Sequence, residues 1–220
     1  KPVSWEGLYE ALHSNWEGKG GARTRSILSS VPRYGHGGTA ADEWARTISR
    51  RFSEIVVAQG KRHPYTFIPG WFSWAKTIEL GEPVGATPDG RSAGAPISHG
   101  ANPNPGFRND AAATAMANAI AAVQPGYGNT APMQLEYDPG IQDENEAVAS
   151  IKALIHGHMK QGGTLLNINI IDRDTILAAH ENPELYPDLV VRVTGFTAYW
   201  RMLSPRFRQL VVDRIIAERR

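Results

Sequence analysis

Gly195 stands in the run Asp188-Leu-Val-Val-Arg-Val-Thr-Gly-Phe-Thr-Ala-Tyr-Trp200, between a β-branched apolar stretch and the aromatics Phe196, Tyr199 and Trp200. A glycine in such a run weakens a strand, because it adds backbone entropy and has no side chain to pack. Residue types alone favour a bulge or a tight bend. The sharper alternative makes the glycine backbone itself the functional group. Other chemistry is sparse. His156 and His158 offer imidazoles, but two positions apart on a helix they point to different faces, and no metal site is expected. Tyr34-Gly-His-Gly-Gly38 precedes a helix and has the composition of an anion cradle. It lacks the lysine and spacing of a P-loop and does not match the dinucleotide fingerprint, so it reads as a turn. Trp71 and Phe72, beside Pro69-Gly70, are candidates for lining a pocket, with core packing as the competing reading.

Composition narrows the field. The 220 residues fit one domain or one large piece of a bigger one. Net charge is +1, which gives no global case for nucleic acid or an anionic membrane as partner. No apolar run is long enough to span a bilayer. Cysteine is absent, which removes disulfides, thiolate ligands and thiol nucleophiles from this chain. A disulfide-free chain fits a cytoplasmic setting. The first residues already read as structure, and the natural polypeptide is expected to extend upstream or to belong to an assembly.

The elements that must position these residues follow from periodicity and caps. Ser4 caps a helix carrying Trp5, Leu8, Tyr9, Leu12 and Trp16, which Gly18, Gly20 and Gly21 should end. A short helix around residues 25–31 stops at Pro32. Thr39 and Asp42 form a capping box for a long helix whose apolar face is Trp44, Ile48, Phe52, Ile55 and Val56. A short strand is expected at 65–68. Residues 81–109 have no periodicity, and the turn Pro88-Asp89-Gly90 lies among them; they read as one ordered, functional loop. An alanine-rich helix at 111–123 leads to a strand at 132–137. A helix follows at 143–160, with Val148, Ile151, Leu154, Ile155 and Met159 as its buried stripe. The strand at 164–171 should be interior, and its Asn167 and Asn169 must find partners. Asp172 caps a short helix at 175–179, a buried strand covers 189–194, and Ser204-Pro205 open the last helix with Phe207, Leu210, Val211, Ile215 and Ile216. Alternating strands and helices make the fold class α/β.

Two motifs and the spacer leading into the second carry a family resemblance. The loop GATPDGRSAGAPISHGANP (85–103), the segment RVTGFTAYW (192–200) and the intervening GGTLLNINIIDRDTILAAHENPELYPDLVVRV (162–193) resemble the glycyl radical enzymes. These are pyruvate formate-lyase and its dehydratase, lyase and decarboxylase relatives. The resemblance covers most of the chain, most strongly from residue 81 onward. It implies the C-terminal portion of a ten-stranded α/β barrel, with the radical glycine on a loop inserted into the barrel. Residues 1–80 would be a helical segment completing part of that barrel, and residues 81–220 the glycyl radical domain.

The chemistry implied is an organic radical on the α-carbon of Gly195, with no other bound cofactor. An S-adenosylmethionine-dependent iron–sulfur activating enzyme would install it by removing one hydrogen. The aromatic and β-branched neighbours would then form a dry shell around the glycine. In the family the radical passes to a cysteine that attacks substrate, so this chain would need a cysteine-bearing partner chain. The resemblance thus implies the radical-bearing subunit of a split, oxygen-sensitive, anaerobic lyase, assembled as an oligomer and acting on a small molecule. The runs 101–107 and 130–135 depart from the pyruvate formate-lyase pattern, which points to a dehydratase, decarboxylase or other lyase. Trp71, Phe72 and Met133 are the candidate substrate-lining residues. The alternatives are a spare-part radical domain, a non-catalytic scaffold subunit, and a fragment of a formate acetyltransferase-like enzyme.

Overall fold

The computed structural model describes residues 3–104, 113–138, 143–193 and 195–217, with side chains as far as residue 213. They form two compact units: residues 3–33 with Lys76–Ile97, and Tyr34–Ala75 with residues 98–217.

In the first unit, α1 (Trp5–His13) starts at Ser4, whose hydroxyl accepts from the Gly7 amide at 3.1 Å. The glycines after it do not end α1. The chain turns at Asn15 and Trp16, both at positive φ, and α2 (Gly18–Ser29) begins with those glycines. Gly21 explains the arrangement, since a Cβ there would come within 2.5 Å of the Trp16 backbone. The short α4 (Thr77–Gly81) leads into the motif loop. That loop is ordered around the buried Arg91 guanidinium, which donates to the carbonyls of Val84, Gly85, Ser92 and Ala95 at 2.6–3.1 Å. The expected Pro88-Asp89-Gly90 turn is present, with Gly90 at φ +92° and its amide donating to Thr87. The Trp16 indole and the Arg25 side chain hold the same loop through Arg91 and Gly90 carbonyls.

The second unit begins with α3 (Ala40–Gly60), and the capping box of Thr39 and Asp42 is present. Its apolar stripe is not buried, contrary to expectation. Trp44, Ile48, Phe52 and Ile55 are 52–67 % exposed, while Asp42, Ser49, Ser53 and Gly60 face inward. The small residues let the helix approach closely: the Ser49 hydroxyl donates to the Val123 carbonyl at 2.6 Å. Periodicity identifies an apolar face but not whether anything in the chain covers it. The strand expected at 65–68 does not form. Residues 64–73 have no regular structure and are held by scattered hydrogen bonds, among them the Trp71 amide to the Thr130 carbonyl and the Asn129 side chain to the Ile68 carbonyl.

Beyond it, α5 (Ala113–Ala122) packs Met116, Ala117 and Ile120 against Met133 and Leu135 of β1 (Met133–Tyr137). A crossover through α6 (Glu144–Lys160) brings β2 (Leu166–Ile170) alongside β1 in parallel register, with Gln134 opposite Asn167 and Glu136 opposite Asn169. Val148, Ile155 and Met159 of α6 are exposed rather than buried. Nor is β2 an interior strand with its apolar side chains inside. Its only strand neighbour among the described residues is β1, and Asn167 and Asn169 are its most buried positions. After Asp172 caps α7 (Arg173–Glu181), the chain forms β3 (Val190–Arg192), β4 (Thr197–Tyr199) and α8 (Pro205–Ala217). A buried strand is expected at 189–194; β3 covers Val190–Arg192 with Val191 inward, and Thr194 lies outside the described residues. Ile171, Ile176, Ala179, Val191, Val193, Trp200, Val211 and Val212 make a second core there. Ile215 and Ile216 of α8 lie outside the described side chains. No helix among the described residues is long and apolar enough to cross a membrane.

Candidate functional site

Strands β3 and β4 pair antiparallel as a hairpin, Val190 with Tyr199 and Arg192 with Thr197. Its tip closes where the Val193 amide donates to the Phe196 carbonyl at 2.9 Å. Gly195 sits in that tip at φ +78°, a conformation costly for any residue with a Cβ. A Cβ at Gly195 would meet nothing within 4 Å. The glycine is therefore required by its backbone conformation and not by lack of space. The tight bend that residue types favoured is present, and it leaves the glycine backbone accessible.

Two supports hold this hairpin. Below it, Val191 and Val193 enter the second core, and Trp200 is fully buried with its indole N–H donating to the Ala179 carbonyl at 2.9 Å. The Trp200 amide donates to the Leu189 carbonyl at 2.7 Å, closing the base. Beside it lies the polar face of the β1–β2 pair, where Gln134, Glu136, Asn167 and Asn169 are all buried. The Asn169 side chain accepts from the Arg192 amide and donates to the Arg192 carbonyl at 2.8 Å. Gln134 Nε2 approaches the same carbonyl at 3.4 Å and Glu136 at 3.3 Å.

The expected dry shell is not made by this chain alone. Gly195 is exposed, and Phe196 and Tyr199 are 50 % and 49 % exposed: Tyr199 lies on the outer face of β4, and Phe196 belongs to the tip before that strand begins. Thr194, immediately before the glycine, lies outside the described residues.

The other candidates are scattered. Met133 is a core residue of β1 with 0 % exposure. The Trp71 indole donates to Ser49 Oγ and the Val123 carbonyl, and its ring lies 5.4 Å from that of Phe52. It borders an apolar cavity of about 410 Å³ with Tyr34, Ile48, Phe52, Ala101 and Asn102. Phe72 is partly exposed and tilts against Trp74. Trp71 thus lines a cavity; Phe72 and Met133 are not among its lining residues.

The glycine-rich loop at 34–38 is a filled cradle. Asp42 accepts from the amides of Gly35, Gly37 and Thr39 at 2.8–3.0 Å and from the Thr39 hydroxyl at 2.7 Å. Burial alone would raise this carboxyl, but these hydrogen bonds together hold it below the usual carboxylate range. The nearby Tyr34 hydroxyl is pushed well above its ordinary value, by burial first and by the Asp42 charge second. His158 is buried, its Nδ1 2.8 Å from the Ala117 carbonyl, while His156 is exposed. Among the described residues no group of histidines and carboxylates could hold a metal ion. Gln134 and Asn102 were not singled out by sequence; the alternation Met-Gln-Leu-Glu-Tyr in β1 was the available signal for a polar second face.

Comparison with known proteins places this hairpin. Residues 97–201, which include Gly195, match the family described as glycine radical, and residues 1–81 match that described as pyruvate formate lyase-like. The chain belongs to the glycyl radical enzyme family. Among its relatives, isethionate sulfite-lyase of Oleidesulfovibrio alaskensis is 27% identical across 97% of this chain and 26% of that protein. Formate acetyltransferase 1 of Escherichia coli is 30% identical across 87% of this chain and 26% of its own length. The crystal structure of a glycyl radical enzyme from Archaeoglobus fulgidus superposes with a TM-score of 0.80 at 27% identity, covering 95% of this chain and 27% of that one. This glycyl radical enzyme chain therefore spans about a quarter of the length of the relatives it matches. Its relatives include a lyase and an acyltransferase, and the family's chemistry is that of a radical on glycine.

Proposed function

We propose that this chain is the radical-bearing part of an oxygen-sensitive lyase, a dehydratase, decarboxylase or C–C/C–X lyase, with Gly195 as the radical site. The observation that carries the reading is a glycine at positive φ, exposed at the tip of a firmly anchored hairpin, in a chain without cysteine. Loss of one hydrogen atom from the Gly195 α-carbon, to an activating enzyme using S-adenosylmethionine and an iron–sulfur cluster, leaves a radical between an amide nitrogen and a carbonyl. Delocalisation over both groups requires a planar centre, which a Cβ would crowd. The radical takes a hydrogen atom from a cysteine S–H, regenerating the Gly195 C–H and leaving a sulfur radical to attack a small-molecule substrate.

That cysteine belongs to polypeptide other than these 220 residues, and three features support a large complementary surface. The hairpin tip is uncovered, the α3 stripe is exposed, and the β1–β2 pair is a two-stranded parallel sheet, which rarely stands alone. In this reading β1–α6–β2 is one unit of the ten-stranded barrel. Residues 1–80 contribute helices to that barrel and residues 81–220 form the radical domain. Of the three candidates for its substrate side, Trp71 is supported by the apolar cavity it lines, while Phe72 and Met133 have no such support. The complementary surface supplies the dry shell that the hairpin lacks. The assembly is an oligomer in an anaerobic cytoplasm.

The test is electron paramagnetic resonance after anaerobic incubation with a glycyl-radical activating enzyme and S-adenosylmethionine. A doublet organic-radical signal is expected, and Gly195→Ala should abolish it. A signal that survives Gly195→Ala would refute the assignment. Air exposure of the activated chain should cleave the backbone at Gly195, which intact-mass measurement detects.

A further inference from the structure

Among the described residues, the hairpin that carries Gly195 is not joined to the β1–β2 pair by a strand ladder; the two are separate sheets. At Arg192 the two are joined by side-chain amides: Asn169 acts as a strand surrogate, while Asn167 Oδ1 accepts from Arg192 Nε at 3.4 Å. In an antiparallel ladder, hydrogen-bonded and non-hydrogen-bonded pairs alternate. Val193 bonds to Phe196, so the adjacent Arg192–Thr197 pair is of the non-bonded kind and the Arg192 N–H and C=O point away from β4. Both would be stranded at a buried edge. The Asn169 amide satisfies both at once, donating to the carbonyl at 2.8 Å and accepting from the N–H.

The same device recurs one strand away. Asn102, in the motif loop, donates to the Gln134 carbonyl at 2.6 Å and accepts from the Gln134 amide at 3.2 Å. The Gln134 side chain in turn reaches the Arg192 carbonyl at 3.4 Å. A continuous chain of polar contacts therefore runs from Asn102 through Gln134 to Arg192, with Asn169 gripping Arg192 from β2. Arg192 is three residues before Gly195, on the strand that fixes the tip.

We infer that Asn169, supported by Gln134 and Asn102, is a positioning residue that sets where the Gly195 tip stands relative to the β1–β2 pair. It touches the backbone of Arg192 and no reacting atom. A side-chain clamp suits this task because it fixes one residue of the hairpin, and hence its register and lean, without adding a third and fourth strand to one rigid sheet. The geometry also accounts for Asn169 in a buried strand position, where an unpaired amide would be costly. The polar groups are recruited by backbone that nothing else in the described chain satisfies.

The inference rests on Gly195 being the functional glycine, but its test uses the unactivated 220-residue chain and needs no radical. Asn169→Ala removes both bonds together with a 3.4 Å contact to Glu136 Oε1, and Asn169→Asp keeps the acceptor for the Arg192 N–H while losing the donor to its carbonyl and to Glu136. Tyr137→Phe, which loses only the contact to Ser150 on α6, serves as control. With ¹⁵N-glycine labelling, Asn169→Ala should move the Gly195 resonance, and Asn169→Asp should move it less. In hydrogen exchange, peptides spanning 189–200 should exchange roughly tenfold or more faster in Asn169→Ala, as expected for loss of buried hydrogen bonds. Peptides spanning 133–137 and 166–170 should stay within about twofold of the parent, and the control should change neither region. If Asn169→Ala fails to fold, Asn169→Asp decides by the same readouts. A Gly195 resonance unmoved by either variant, or equal acceleration of both regions, would overturn the proposal.

Discussion

Two glycine turns in this chain lie on the two motifs that carry the family resemblance, and they are built in opposite ways. Gly90 and Gly195 both sit at positive φ, +92° and +78°. Around Gly90 everything is closed: a Cβ would meet the Ser29 hydroxyl at 3.2 Å, Arg25 holds its carbonyl, and the buried Arg91 gathers four neighbouring carbonyls. Around Gly195 nothing lies within 4 Å of that position, and the anchoring stops at Arg192, Val193 and the base of the hairpin. The first turn is complete within its own chain. The second is held firmly from behind and left open in front, as a turn must be if its backbone is to meet another molecule.

Removing the keystone of the closed turn gives the largest expected effect. Arg91→Ala should destabilise by about 3 kcal/mol or more, since hydrogen bonds to charged groups are worth roughly 1.5–3 kcal/mol and buried carbonyls lose their donors together. Urea unfolding measures this, and a loss below about 1 kcal/mol would mean the loop is ordered by something else. The filled cradle at Asp42 is a second closed turn and should rank next. Asp42→Asn should cost about 2 kcal/mol at neutral pH, because an amide presents donors where the amides of Gly35, Gly37 and Thr39 already donate. The Asp42 carboxyl is held below its unfolded value, so its stabilisation is complete above the ordinary carboxyl range near ~4 and is lost as pH falls through the depressed value. The gap between parent and Asp42→Asn should therefore shrink on acidification. A gap constant with pH would exclude the charge as its source.

The glycines themselves come third and test the contrast directly. Gly195→Ala should cost only the conformational strain of about 1–2 kcal/mol, and Gly90→Ala should exceed it because the Ser29 contact adds to the same strain. Paired thermal melts decide. If Gly195→Ala proves the more damaging to folding, the open turn is packed against something within this chain and the comparison fails.

How much of this was legible in the sequence depends on whether the cause was local. The capping box at Thr39 and Asp42, the Pro88-Asp89-Gly90 turn, and the helices and parallel strands around β1 were readable because caps, glycine conformations and periodicities act over a few residues. The bend at Gly195 was readable for the same reason. Asn167 and Asn169 announced that they needed partners but not which ones, since Arg192 lies more than twenty residues away; Asn167 meets its side chain, and Asn169 its backbone, which leaves no trace in residue type. The helix faces failed differently. Val148, Ile155 and Met159, like the α3 stripe, have the spacing of a buried face and are exposed. A stripe reports that an apolar face exists, and its partner can be in another part of the assembly.

That stripe gives the smallest expected change in stability, and it extends the contrast between closed and open surfaces to a whole helix. Trp44 and Ile55 lie on the exposed face of α3 and do not line the cavity beside Trp71. In this chain they lose little on substitution, so Trp44→Gln with Ile55→Gln should shift stability by less than about 0.5 kcal/mol, the range for surface positions. Glutamine is a good helix former, which keeps the backbone of α3 out of the comparison. The same pair should impair capture of a cysteine-bearing glycyl radical enzyme chain offered in a pull-down, because apolar area lost from an interface weakens association. Sedimentation of the parent chain separates the remaining case: if it self-associates and the double variant does not, the stripe meets a second copy instead. A clear drop in melting temperature for the monomeric variant would show that the face is already covered, and α3 would then belong with the closed turn at Gly90.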